Sequence, residues 1–136
     1  MVQGCLYHLI GTIISEHLYE ETQHDTVSSQ RLASIKKVLS YIAEQYPNNI
    51  RLDVMARIAG MNPKYFCRYF RQMTDRTPID YLNYYRIECA CEMLSTEDLS
   101  IREVAISCGF NDENYFIKAF RKYKGITPGK YIKAVF

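Results

Sequence analysis

The reading of the fold turns on IREVAISCGFNDENYFIKAFRKYKGITPGKY, residues 101–131, because a second version lies upstream as LDVMARIAGMNPKYFCRYFRQMTDRTPIDY, residues 52–81. At an offset of 49, Ala56 and Gly60 fall on Ala105 and Gly109. At an offset of 50, Tyr65, Phe66, Phe70, Arg71, Thr77, Pro78 and Tyr81 fall on Tyr115, Phe116, Phe120, Arg121, Thr127, Pro128 and Tyr131. The later copy therefore carries one extra residue just after its glycine. Such agreement marks an internal repeat, and hence a duplicated structural unit.

Both copies are punctuated alike. A short helix is expected over about Leu52–Ala59 or Ile101–Cys108, ended by a glycine suited to a left-handed cap. Ser100-Ile101-Arg102-Glu103 has the form of a capping box, in which the hydroxyl takes the N3 amide and the glutamate reaches back. After the glycine, Asn62-Pro63 and Asn111-Asp112 offer N-caps for a second helix, and proline suits its first turn. Two helices joined by a three- or four-residue turn containing glycine make a helix-turn-helix. The chain holds two.

Thr77-Pro78 opens a third kind of segment, with threonine as cap and proline at N1. Its apolar pattern through Leu82, Tyr85, Cys89, Met93 and Leu94 predicts a helix of about 17 residues, a rod of roughly 25 Å. Thr127-Pro128 starts the equivalent helix of the second copy. Upstream, Leu32–Tyr46 has helical spacing through Ile35, Val38, Leu39, Ile42 and Ala43, and Pro47-Asn48-Asn49 stops it. Glu21–Gln30 is polar and reads as a linker. Met1–Glu20 has amphipathic helical spacing through Leu6, Leu9, Ile10, Ile13, Ile14 and Leu18.

These elements predict an all-α protein, with two three-helix, homeodomain-like helix-turn-helix units joined by a central helix and preceded by an extra amphipathic helix. The expected boundaries are 1–30 for the leading helix and linker, 31–77 for the first unit, 78–94 for the joining helix and 95–136 for the second unit.

Composition narrows the class. The 136 residues are 48% hydrophobic and 24% charged, the balance of a globular domain. No apolar run approaches the roughly 18 residues of a spanning helix, so no membrane role is expected. Met1–Glu20 lacks a basic n-region and is not a secretory signal, which makes a reducing cytoplasm the default. The five cysteines have no regular framework, and all three histidines lie within the first 24 residues, so neither a disulfide scaffold, a metal nor a cofactor is expected. The cysteines read as small buried hydrophobes.

Charge is unevenly placed. Residues 1–50 carry three Lys or Arg against five acids, whereas 51–136 carry fourteen against ten. Beyond Glu113 the chain has Lys118, Arg121, Lys122, Lys124, Lys130 and Lys133 with no acid among them. Within each second helix, Phe66, Tyr69, Phe70 and Met73, or Phe116, Ala119, Phe120 and Tyr123, form an apolar side. The opposite side carries Lys64, Arg68 and Arg71 in one copy, and Asn114, Lys118 and Arg121 at the matching places in the other. One polar helix face is ordinary, but a donor stripe that recurs on the groove-reading helix of a duplicated helix-turn-helix points to double-stranded DNA. Arginine and lysine can bind guanine O6 and N7, and asparagine can bind adenine N6 and N7. A single chain with two such helices would read two successive major grooves, roughly 34 Å apart, over an asymmetric site.

Ile101-Arg102-Glu103-Val104-Ala105, Cys108-Gly109-Phe110-Asn111-Asp112, Tyr115-Phe116, Phe120-Arg121-Lys122 and Gly125-Ile126-Thr127-Pro128 with Tyr131 resemble the signature of the AraC/XylS transcription regulators. The first copy fits the weaker half of that pattern through Met55-Ala56, Ala59-Gly60, Tyr65-Phe66, Arg68, Phe70-Arg71, Thr77-Pro78 and Tyr81-Leu82, and Arg86-Ile87, Ala90 and Met93-Leu94 fit the joining helix. The resemblance covers about Arg31–Phe136. It implies base contacts by Lys64, Cys67 and Arg68 in the first unit and by Glu113, Asn114, Ile117 and Lys118 in the second. Arg71, Arg121, Lys122 and Lys124 are assigned to phosphates. Cys67 and Ile117 suit a thymine methyl, and Glu113 would take cytosine or stay clear.

Two residues depart from the family pattern. Asp75 stands where a glycine usually closes the first unit, and aspartate tolerates a left-handed conformation. Ile132 replaces an arginine often found after the final tyrosine, which would weaken a terminal contact. The resemblance further implies a sensing domain for a small effector, a sugar by family habit, before the linker. Met1–Glu20 is then either the closing helix of that domain, pairing two copies, or a tail. An effector-controlled activator that meets RNA polymerase on the bacterial nucleoid is the implied whole.

Two other classes of function compete. No Ser-His-Asp set, phosphate loop, CxxC or HExxH motif suggests an enzyme, and Glu88 and Glu92 read as a solvated helix face. A protein-interaction adaptor using the basic C-terminal surface is the alternative. Duplex length separates the two, because DNA binding needs about two turns and an adaptor is indifferent.

Overall fold

A computed structural model describes residues 26–135, so expectations for Met1–Glu20 lie outside the described residues. The described residues form α1 (Thr26–Gln45), α2 (Leu52–Ala59), α3 (Pro63–Thr74), α4 (Pro78–Thr96), α5 (Ile101–Ser107), α6 (Glu113–Lys124) and α7 (Pro128–Val135). α1 packs on α2 and α2 on α3, whereas α4 touches α3, α5, α6 and α7. The joining helix thus packs against elements of both units.

The start of α1 corrects the expected linker. Thr26–Gln30 is helical. No Gly or Pro interrupts this stretch, and once Leu32, Ile35, Val38, Leu39 and Ile42 bury one face, extending the helix over polar residues costs little per residue.

The expected N-cap bonds are present, but at Ser100 only half of the capping box forms: among the described residues the Glu103 side chain makes no return bond to the Ser100 amide. Asn62 Oδ1 accepts from the Tyr65 amide at 2.8 Å, Thr77 Oγ1 from Asp80 at 3.2 Å, Ser100 Oγ from Glu103 at 3.1 Å and Asp112 Oδ1 from Asn114 at 3.0 Å. In both turns the residue after the glycine bonds back to the last helical turn: Met61 N to the Ala56 carbonyl at 3.0 Å and Phe110 N to that of Ala105 at 2.9 Å. The extra residue of the second copy falls after that shared closure. Asp75 takes the left-handed conformation expected of it, with φ 62°, and its amide reaches the Arg71 carbonyl at 2.8 Å.

The repeat extends into the core. Phe66 and Phe70 lie 5.6 Å apart at 60°, and Phe116 and Phe120 lie 5.9 Å apart at 61°. Phe70 meets Tyr81 edge-on at 5.6 Å, as Phe120 meets Tyr131 at 5.5 Å. Edge-to-face pairs of this kind each add roughly 0.5–1.5 kcal/mol beyond their buried area. Ile132, at the departed arginine position, packs partly buried against this core.

α4 is buried on more than one side, which is why Cys89 and Cys91 are both inside although two residues apart. Burial pushes the thiols of Cys89 and Cys108 up to about 12 and that of Cys91 up to about 11, so all three stay protonated at neutral pH. They are packing groups.

The α6-facing edge of α4 carries Asp80, Tyr84 and Glu88, one helical turn apart in succession. The Tyr123 hydroxyl donates to the Asp80 carboxylate. Arg76 Nη1 donates to Asp80 at 3.2 Å and its guanidinium lies 4.1 Å from the Tyr84 ring centre and 5.5 Å from that of Tyr123. Burial alone would raise the Asp80 pKa, but the Tyr123 and Arg76 hydrogen bonds outweigh it and hold the carboxyl below its ordinary value. A depressed folded-state pKa stabilises above the unfolded value and loses that stability as pH falls through the folded one. Asp80→Asn should therefore cost roughly 1 kcal/mol at pH 7, and the gap from the parent protein should close in acid below about pH 4. Urea titrations at both pH values check this, and a gap that persists in acid would deny the carboxylate its role.

Candidate nucleic-acid interface

α3 and α6 are the second helices of the two units, and each sorts its residues in the same way. On α3, Phe66, Tyr69, Phe70 and Met73 are buried, and on α6, Phe116, Ala119 and Phe120 are buried. Outward, Lys64, Arg68 and Arg71 are exposed on α3, and Glu113, Asn114, Lys118, Arg121 and Lys122 on α6. Cys67 and Ile117 are half-buried at equivalent places between the two sides. The structure thus presents to solvent, in the register of the repeat, the stripes expected from sequence.

The C-terminal ends of the two helices share one open hollow. Arg71 from α3 and Lys122 from α6 line it together with Arg76 and Asp80 from the α3–α4 turn and α4. A second hollow on the same side of α3 is lined by Cys67, Arg68, Arg71 and Gln72. Lys122 Nζ lies 3.7 Å from Asp80 but its side chain is 70% exposed, which leaves it available to another anion.

Lys124 behaves differently from the other cations assigned to phosphate. Its ammonium is bonded to the Glu88 carboxylate, with side chains only 27% and 21% exposed. Burial would lower the Lys124 pKa, but the Glu88 hydrogen bond and charge outweigh it and hold the pKa above its usual value. Glu88 is correspondingly not part of a solvated helix face. The pair pins α6 to α4, and its partners are 36 residues apart.

Arg31, on α1, lies 5.3 Å from the Tyr65 ring centre and 5.8 Å from that of Tyr69, bracing the inner side of α3. Nothing in the spacing of Arg31 marks it as such. The Asp80, Tyr84 and Glu88 succession was a visible signal for the α4–α6 contact, but on an isolated helix the same pattern describes a wet face.

A duplicated helix-turn-helix that buries its aromatic side and exposes a cationic stripe on each second helix defines a DNA-binding protein. The helix-turn-helix domain family matches residues 55–134. Over 121 residues, covering 89% of this chain, it is 30% identical to the uncharacterized HTH-type transcriptional regulator YdeC of Bacillus subtilis (strain 168), and spans 40% of that protein. It is 28% identical over 135 residues, 99% of this chain and 48% of the relative, to the Msm operon regulatory protein of Streptococcus mutans. Among solved structures, the DNA-binding domain of the transcriptional factor AdpA in complex with a target DNA superposes with a TM-score of 0.70 and 30% identity, over 74% of this chain and 90% of that one. The chain belongs to the AraC-type helix-turn-helix family of DNA-binding transcription regulators. It spans less than half the length of the two curated relatives. Among the described residues, no helix is long and apolar enough to cross a membrane.

Proposed function

We propose that one chain reads an asymmetric operator by placing α3 and α6 in successive major grooves. The observation that carries this reading is the exposure of two donor stripes in register with the repeat, whose C-terminal ends line one hollow through Arg71 and Lys122. Lys64, Cys67 and Arg68 address bases in one groove, and Glu113, Asn114, Ile117 and Lys118 in the other. Arg71, Arg121 and Lys122 hold phosphates, while Lys124 is already engaged by Glu88 and is left out of that set. Because the stripes differ, the two half-sites differ. If the helices stand closer than one DNA turn, the duplex bends toward the protein.

In its wider form the reading is an activator on the bacterial nucleoid that answers to a small molecule, a sugar in the simplest case, and meets RNA polymerase at the promoter. Met1–Glu20 would pair two copies. Support for this part is the greater length of the curated relatives and the naming of one of them for an operon.

Selection of bound duplexes from a random pool tests the proposal. Two dissimilar half-sites about 10 base pairs apart, with full affinity only near two turns of duplex, are expected. A site confined to one turn, or binding indifferent to duplex length, would overturn it in favour of a one-groove reader or an adaptor. Arg121 offers a separate check. A phosphate contact releases about one counterion, so Arg121→Ala should lower the slope of log affinity against log salt by about 0.9. An unchanged slope would remove Arg121 from the interface.

A further inference from the structure

The two units also meet directly, on the side of α4 away from the Asp80 cluster. Arg86, near the middle of α4, donates through Nε to the Tyr46 carbonyl at 2.8 Å and through Nη2 to the Asn48 carbonyl at 2.8 Å. Both acceptors lie at or just beyond the end of α1, in the first unit. The same guanidinium sits 5.8 Å from the ring centre of Phe110, in the turn of the second unit. Beside it, Gly109 has φ 95°, and a Cβ there would stand 2.6 Å from the Tyr46 carbonyl oxygen and 3.0 Å from Arg86 Nε. A backbone carbonyl of one unit, the arginine fork and the glycine turn of the other therefore touch in one place.

Two backbone acceptors held by one planar fork fix direction as well as distance. Beyond this joint, α4 and its α6-facing edge also relate the two units. We infer that the Arg86–Tyr46–Gly109 joint is a spacing-determining element: it sets the relative position of α3 and α6, and so which half-site separation the protein accepts. Arg86 is a positioning residue, half-buried on α4 and outside both donor stripes. The inference rests on the two-groove reading above.

The duplex recovered by selection provides the test, together with versions carrying one inserted or one deleted base pair between the half-sites. One base pair moves a half-site by about 3.4 Å and roughly 35°. The parent protein is expected to lose at least about tenfold in affinity on either change, because a rigid pair of readers gains its effective concentration only at the matched span. Arg86→Met and Gly109→Ala disturb the joint from opposite sides. Each should lower affinity for the original spacing about tenfold and bind the altered spacings within about threefold of it, while affinity for each isolated half-site stays as in the parent. Arg86→Lys, which keeps the charge but loses the fork, should fall between.

Folded variants that keep the parent's spacing penalty would overturn the inference, as would equal losses on every duplex including single half-sites. Failure of both Arg86→Met and Gly109→Ala to fold would make the joint a stability element, and the inference would fall. A parent protein that shows no spacing penalty at all would instead defeat the two-groove reading on which this rests.

Discussion

Phe120→Ala should destabilise the second unit by about 3–5 kcal/mol. Phe120 is wholly inaccessible, stands edge-on to Tyr131 at 5.5 Å and packs on Phe116 at 5.9 Å, so truncation removes the centre of an aromatic stack. The walls of that cavity are other rings and the buried α4, which leaves little freedom to collapse. Domain stabilities of roughly 5–15 kcal/mol mean that the loss consumes a large part of the total. A urea titration followed by circular dichroism should show a much earlier midpoint. Because α3 has its own copy of the stack at Phe66 and Phe70, helical signal from the first unit should outlast that of the second. A midpoint within about 0.5 kcal/mol of the parent would mean that α6 buries a different face.

Arg68→Ala should reduce affinity for the selected operator by about 1–3 kcal/mol, roughly 5- to 150-fold, while barely changing affinity for sites altered at the base pair that Arg68 reads. The side chain is exposed on the middle of α3 and lines the same hollow as Cys67 and Arg71. In the proposed contact the guanidinium supplies both donors to a guanine edge, so the alanine variant should no longer distinguish that base pair from the other three. Equilibrium binding to the operator and to its three single-base alternatives at each half-site position gives the answer. Uniform weakening across all sequences would move Arg68 to a phosphate. These two substitutions probe opposite faces of equivalent helices, and neither should reproduce the effect of the other.

Much of this architecture was legible in the chain because its signals are local. The N-caps at Asn62, Thr77, Ser100 and Asp112 act within three residues, and a left-handed Asp75 needs only a short polar side chain that tolerates positive φ. Buried and exposed faces of α3 and α6 follow from the helical period once the rings are placed inside. Where sequence reading erred, the cause was a distant partner. The polar Thr26–Gln30 looks like a linker until the burial of Ile35 and Ile42 carries the helix back through it. Lys124 reads as one cation among six and Glu88 as a wetted acid, yet they hold each other across two helices.

What sequence alone determined is a twice-used helix-turn-helix with a polar, cationic stripe on the outer side of each second helix, since caps, periodicity and repetition depend on residues within a turn or two of one another. Tertiary structure decided which polar groups remain free. Tyr123 meets Asp80 across 43 residues, Arg86 meets Tyr46 across 40, and Lys124 meets Glu88 across 36. A charge is visible in a chain at its own position, but its partner is chosen by how helices pack, and that packing is set by the shape of the whole core rather than by any one segment.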